Sequence, residues 1–293
     1  MKRLSFFSIL MLSFFFLLSH TNAQESFKIG VLAKRGAANC MKQWSATADY
    51  LSQKLPGKSF KIIPLDFDQV EPAVQKKEVD FVLVNSSMFI TLKRKFNVAP
   101  VTTMINSRQG KAVKEFGGVI LARADNGAIN NLSDLKGKKF IAVEENSFGG
   151  WQMAFRELKA NGIDPQKDFA KLAFAGTHDN VVLAVRNKVM DAGTVRTDTY
   201  ERMAAEGKID MKDFKIINTQ SNAGFPFALS TRLYPEWPLS SLSHVNTAVA
   251  VEVTKVLSAM SADDPAAKAA KVVGWSAPLD YTSVEDCLSD LNL

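Results

Sequence analysis

Leu135 to Ile163 reads LKGKKFIAVEENSFGGWQMAFRELKANGI. Lys138 to Val143 has the character of a buried strand, Glu144 to Gly150 is a polar, glycine-bearing turn, and Trp151, Met153, Ala154, Phe155 and Leu158 recur at helical spacing until Asn161-Gly162. A strand feeding a Ser/Gly turn and then a helix directs free backbone N–H groups and a positive dipole end at one spot, which suits an anion. The plainer alternative is that Asn146 or Ser147 merely caps the helix.

Outward from this unit the same alternation runs in both directions. Strands are expected at Phe27 to Leu32, Phe60 to Leu65, Val79 to Val84, Val98 to Met104 and Phe116 to Ala122. Helices are expected through Trp44 to Leu55, from Gln69 to Lys77, and after Asn85-Ser86-Ser87. Beyond Ile163 come strands at Leu172 to Phe174, Val189 to Val195 and Phe214 to Asn218, with helices at Asp179 to Asn187 and Thr199 to Glu206. A strand-like Phe227 to Ser230, a turn through Tyr234-Pro235-Glu236-Trp237-Pro238 and helices near His244 to Met260 and Pro265 to Val273 complete the chain. This predicts an α/β protein of two successive units, with mostly parallel sheets flanked by helices. Ligands of such sheets bind beyond the carboxyl ends of the strands. The loops there are Arg35-Gly36, Asn85-Ser86-Ser87, Asn146-Ser147-Phe148-Gly149-Gly150, Gly176-Thr177-His178-Asp179 and Arg196-Thr197-Asp198. Their coexistence as five polar corners is the informative feature; each alone means little.

The first 23 residues stand outside this pattern. Lys2 and Arg3 precede the apolar run Leu4 to Leu18, and small residues lead to Ala23, the plan of a secretory signal peptide cleaved after Ala23. The run is shorter than a spanning helix needs, so an exported, periplasmic chain of about 270 residues is expected. The formal charge of +6 then falls to about +4. The charges are scattered with no basic block, which argues against a nucleic-acid partner. Cys40 and Cys287 are the only cysteines. In an oxidising compartment they are a candidate disulfide tying the first helix to the last, with two unpaired thiols as the alternative. They lack the neighbours of a zinc site, and no metal or other cofactor is expected.

The succession LSDLKGKKFIAV, NSFGG, NGID, GTHDNVVLAV and MDAG resembles the periplasmic substrate-binding proteins of phosphonate and phosphite ABC importers. SFGGWQMAFREL, AGTVRT, STRLYPEWP and GWSAPLDYTSV are most similar to the related periplasmic sensor domains of tetrathionate-type sensor kinases. The resemblance implies a two-lobed periplasmic-binding-protein fold, type II-like. One lobe would be residues 24–121 plus 222–293, the other 122–221, with crossings near Ala122 and Ser221. It implies a monomer that closes over a small oxyanion and serves a membrane ABC permease or a membrane sensor kinase.

Carried onto this chain, Ser147 and His178 match residues that bind phosphonate oxygens, and Asp198 one that meets an aminoalkyl group. Phe148 and Gly149 stand where phosphonate binders carry hydroxyls, Val84 replaces a ligand-contacting tyrosine, and Arg196 replaces an uncharged residue. A site that loses donors leaves acceptors unpaired, about 1–3 kcal/mol each. With Arg35 and Arg196 both at strand ends, a longer anion charged at two ends is expected, a sulfur oxyanion or small dicarboxylate. The expected binding set is Arg35, Asn85, Ser86, Asn146, Ser147, Phe148, Gly149, His178, Arg196, Thr197 and Asp198. No enzyme is expected: Ser147, His178 and Asp179 invite a triad, but no nucleophile elbow, P-loop or dinucleotide fingerprint is present.

Overall fold

The computed structural model describes residues 24–293; the expected signal peptide and its cleavage after Ala23 lie outside the described residues. In chain order the first elements are β1 (Glu25–Leu32), α1 (Ala37–Lys54), β2 (Lys58–Leu65), α2 (Val70–Gln75), β3 (Phe81–Leu83), α3 (Ser86–Phe96), β4 (Ala99–Arg108), β5 (Lys111–Val113) and β6 (Glu115–Phe116). Next come β7 (Gly118–Arg123), β8 (Lys139–Ala142), α4 (Met153–Ala160), α5 (Pro165–Asp168), β9 (Lys171–Phe174), α6 (His178–Arg186), β10 (Ala192–Arg196), α7 (Thr199–Ala205) and β11 (Phe214–Ile217). The chain closes with β12 (Tyr234–Pro235), β13 (Pro238–Ser241), α8 (Thr247–Ser258), α9 (Pro265–Ala270), β14 (Val272–Ser276) and α10 (Thr282–Leu291).

Two main sheets result. The larger runs β14-β4-β13-β3-β1-β2, with β5 beside β4; the smaller runs β11-β7-β10-β8-β9. Each holds three adjacent parallel strands, β2-β1-β3 and β10-β8-β9, as βαβ alternation dictates. Each also takes an antiparallel strand close to a point where the chain changes lobes: β13 between β3 and β4, and β7 between β10 and β11. The parallel strands are apolar on both faces because helices cover them: Phe81, Val82 and Leu83 of β3 and Phe140, Ile141 and Ala142 of β8 are all buried.

The strand pairings place Gly118 and Thr231 with the smaller sheet, on the outer side of the expected crossings near Ala122 and Ser221. β7 joins the smaller sheet from Gly118 onward. On the return, Ser230 and Thr231 still bond that sheet, Ser230 N–H to Gly118 O (2.9 Å) and Thr231 Oγ1 accepting from Gly118 N–H (2.8 Å). The lobes part at the short ribbon in which Phe116 of β6 pairs with Tyr234 of β12. No strand forms over Phe227 to Ser230. β12 and β13 arise instead in the proline-rich turn, where Pro238 takes the first strand position and needs no N–H. The helix expected to run to Val273 stops at Ala270, because Lys271 turns left-handed (φ 57°) and releases Val272–Ser276 as a strand.

Of the two alternatives for the cysteines, the structure holds the second: Cys40 and Cys287 are free, buried thiols. Cys40 lies on α1, which packs on β2 and α9, whereas Cys287 lies on α10, which packs on α3 and α4. Burial pushes both thiols up to about 11, as for small core residues rather than reactive ones.

Candidate functional site

After β8 the chain makes a wide helical turn, with Gln152 N–H reaching five residues back to Ser147 O at 3.1 Å, before regular α4 begins. Two glycines permit it. A Cβ on Gly150 would lie 2.5 Å from Ser147 Oγ and from Val143 Cγ2; one on Gly149 would lie 2.8 Å from Arg196 Cβ and 2.9 Å from Phe116 Cε2. The amides of Phe148, Gly149 and Gly150 open this helical run and have no acceptor one turn earlier within it. Ser147 is buried, and its side chain makes no capping bond. The serine hydroxyl is therefore not consumed by the helix, as the plainer alternative required.

Ser147, Phe148, Gly149, His178, Arg196 and Asn85 line one small inner chamber, together with Lys34, Phe116 and Trp237. The chamber is about 10 Å³, near the lower limit for a single water. His178 starts α6, and its Nδ1 accepts from the Arg196 N–H at 3.2 Å. That bond fixes the neutral tautomer with the proton on Nε2. Burial first, then Lys34 and Arg196, hold the imidazolium well below its ordinary range. His178 thus presents an N–H donor without a charge at neutral pH.

Arg196 ends β10 and is buried. Nη2 donates to Glu236 Oε1 at 2.7 Å, Nε lies 3.3 Å from Asp198 Oδ1, and the guanidinium stands 4.5 Å over the Phe116 ring. Nη1 has no hydrogen-bond partner. Asp198 is shared with Arg108 at 3.5 Å. Burial opposes its ionisation, yet Arg108 and Arg196 keep its carboxyl below the usual range. Lys34 Nζ lies 4.7 Å over the Trp237 ring and, among the described residues, has no carboxylate partner. Burial, then Arg196 and Arg108, push its ammonium well below the ordinary lysine value.

The structure separates the expected binding residues into groups. Phe148 lines the chamber with a side chain fully buried between Phe116 and Tyr234, at ring distances of 6.1 and 4.9 Å. Asn85 caps α3 and donates to Asn146 O at 3.1 Å, a bond between lobes. Two residues are spent elsewhere: Ser86 Oγ donates to Pro235 O at 2.6 Å, and Thr197 Oγ1 accepts from Gly117 N–H at 3.2 Å. Asn146 lines a separate small pocket with residues of α2 and α3. Lys34, Arg108, Glu236 and Trp237 were not among the expected residues. Lys34 was discoverable, since it shares a strand end with Arg35; Glu236 carried no local sign.

Outward, the chamber meets a cleft of about 520 Å³ lined by eight Lys/Arg side chains and two carboxylates, Asp198 and Glu206. Arg35 reaches across it, with Nη2 2.9 Å from Asp179 and 3.6 Å from Glu206. Arg202 and Lys208 complete this cluster. Arg35 is thus an ionic latch between lobes. Burial opposes ionisation of Asp179, but its pairing with Arg202 and Arg35 lowers it to about 2. Being depressed, the Asp179 contribution is present above the ordinary carboxylate value and is lost as pH falls toward 2. Arg35→Ala is expected to weaken ligand binding about 3-fold at low salt, the worth of one partly exposed pair. Calorimetric titration at two salt concentrations checks this: the difference should shrink near 0.5 M salt, roughly, and equal low-salt affinities would remove the latch.

Two α/β lobes joined by paired crossing strands, with polar strand ends converging on a basic cleft, define the class of two-lobed periplasmic binding proteins. Residues 29–283 match the model of the family described as ABC transporter, phosphonate, periplasmic substrate-binding protein. The chain belongs to that family. Over 277 residues, 94% of this chain and 45% of the relative, it is 36% identical to the tetrathionate sensor histidine kinase TtrS of Salmonella typhimurium. It is 24% identical over 221 residues to the phosphonates-binding periplasmic protein of Escherichia coli, covering 73% of this chain and 63% of that one. The chain therefore spans about half the length of the first of these relatives. PhnD1 from Prochlorococcus marinus, in complex with methylphosphonate, shares the fold with a TM-score of 0.72 at 18% identity, covering 92% of this chain and 99% of that one. XAC2383 from Xanthomonas citri gives 0.71 at 19%, covering 91% and 97%. Among the described residues no helix is long and apolar enough to cross a membrane.

Proposed function

We propose that the protein captures a small oxyanion between its lobes and delivers it to an ABC importer. The observation that carries this reading is a chamber lined by Ser147, Phe148 and Gly149 at the opening of a helix, by His178, whose proton is on Nε2, by Lys34 and by Arg196, whose Nη1 has no partner. All are donors, and together they suit oxygen atoms bearing negative charge. Asp198, already held by Arg108 and Arg196, offers no free carboxylate to an aminoalkyl group. The ligand is accordingly a two-ended oxyanion, of the sulfur oxyanion or small dicarboxylate kind, rather than an aminoalkyl phosphonate.

The same capture serves a second reading, ligand input to a two-component system, favoured by the 36% identity over 94% of the chain to a tetrathionate sensor kinase. The two part on the neighbouring genes: permease and ATPase for import, a histidine kinase for sensing.

A thermal-shift screen of phosphonates, phosphite, sulfate, thiosulfate, tetrathionate and dicarboxylates tests the ligand. A true ligand at a hundred times its Kd stabilises by about 2.7 kcal/mol through mass action. Stabilisation by aminoalkyl phosphonates alone would overturn the ligand class; stabilisation by none of these anions would overturn the site.

A further inference from the structure

The outer cleft holds more positive charge than the inner chamber can use. Eight cationic and two anionic side chains line it, a formal excess of +6, equal to that of the whole 293-residue chain. Even with Glu236 and Asp179, which stand behind Arg196 and Arg202, the excess is +4. The scattered charge of the sequence is gathered here by folding. A volume of about 520 Å³ is that of a small-molecule site.

The cations beyond the chamber are held by a built scaffold. α1 packs on α9, and Gln43 Nε2 donates to Ala270 O at 2.8 Å, fixing the end of α9 against α1. This sets Lys42 beside Lys268 and Lys271 on the rim, the last two at the end of α9, where the dipole favours cations. Lys42 and Lys271 have no carboxylate partner among the described residues, and that of Lys268, Asp263, is almost fully exposed. Deeper in, Arg108 is buried: its Nη2 donates to Asn106 Oδ1 at 2.8 Å, while its Nε stands 3.5 Å from Asp198 Oδ2 and makes no hydrogen bond. Cations gathered without counterions repel one another, and a compact anion in the inner chamber would leave these uncompensated.

We propose that Arg108, Lys42, Lys268 and Lys271 form a distal anion subsite. It receives the second charged end of an elongated ligand whose first end lies on Ser147 and His178. This rests on the oxyanion reading above and adds to it the residues that measure ligand length. Arg35, occupied by Asp179 and Glu206, is not one of them.

Sulfate and tetrathionate carry the same charge and differ in length, so they separate attraction from fit. In calorimetric titrations of the wild-type protein and the Lys42→Gln/Lys268→Gln/Lys271→Gln variant, tetrathionate affinity should fall about 10- to 30-fold, roughly 3-fold per partly exposed charge. Sulfate and methylphosphonate affinities should change less than about 3-fold. All three lysines are exposed, and an unchanged melting temperature confirms that the variant folds. Equal losses for sulfate and tetrathionate, or no loss for either, overturn the subsite while leaving the inner chamber standing. If the wild-type protein binds none of the three anions, the oxyanion reading fails and the subsite with it.

Discussion

Glu236→Leu is expected to destabilise the fold by about 3–5 kcal/mol, the cost of stranding a buried charge. Glu236 is fully buried, and Arg196, its partner at 2.7 Å, is nearly so, with side-chain exposures of 0% and 5%. Removing the carboxylate leaves the guanidinium with Asp198 at 3.3 Å, which Arg108 already claims at 3.5 Å. Phe116 beneath it contributes only a cation–π contact, roughly 1–2 kcal/mol when desolvated. The paired replacement Glu236→Leu/Arg196→Met should recover most of the loss, since two apolar groups of similar volume replace an ion pair at little cost. Urea denaturation of the three proteins measures this. A Glu236→Leu protein as stable as wild type would show that the pair does not hold the crossing strands.

Lys34→Met is expected to act in opposite directions on stability and on binding. The ammonium is half-buried over Trp237, with Arg196 and Arg108 as repelling neighbours and no carboxylate partner among the described residues. Replacing it with an apolar chain of similar length relieves that repulsion, and a gain of about 1 kcal/mol would raise Tm by about 2–4 °C. The same charge faces the chamber, and truncating one side of a desolvated charge contact costs 2–5 kcal/mol, about 30-fold or more in affinity. A thermal melt and a titration with the best-binding anion read the two signs. A variant that is less stable and binds unchanged would mean that Lys34 serves the fold and not the ligand.

The fold was largely legible because its signals are local. Asn131 and Asp134 form a reciprocal cap within four residues, Asn85 caps α3, and Thr177 caps α6. Apolar runs at β3 and β8 announced strands covered on both faces. Legibility failed where the chain changes lobes. Tyr234 to Pro238 reads as a rigid turn by its prolines, yet Tyr234–Pro235 pairs with β6 and Pro238 opens a strand that pairs with β3 and β4. Nothing within that stretch specifies partners so distant in sequence.

The candidate site divides in the same way. Ser147, His178 and Arg196 were readable as polar strand-end residues, and they face one chamber. Whether each polar group is free for a ligand was not readable, because that depends on what else it touches.

By itself the sequence determined the alternation of strand and helix, the caps, and which loops lie at strand ends, all set by residues within a turn or two of one another. Only the tertiary structure decided which donors remain unspent. Arg35 is claimed by Asp179, 144 residues away, and Ser86 by Pro235, 149 away, while Glu236, 40 residues from Arg196, fixes one edge of that guanidinium and leaves the buried Nη1 without a partner. A hydrogen bond acts over about 3 Å, and only packing sets which distant side chains come that close.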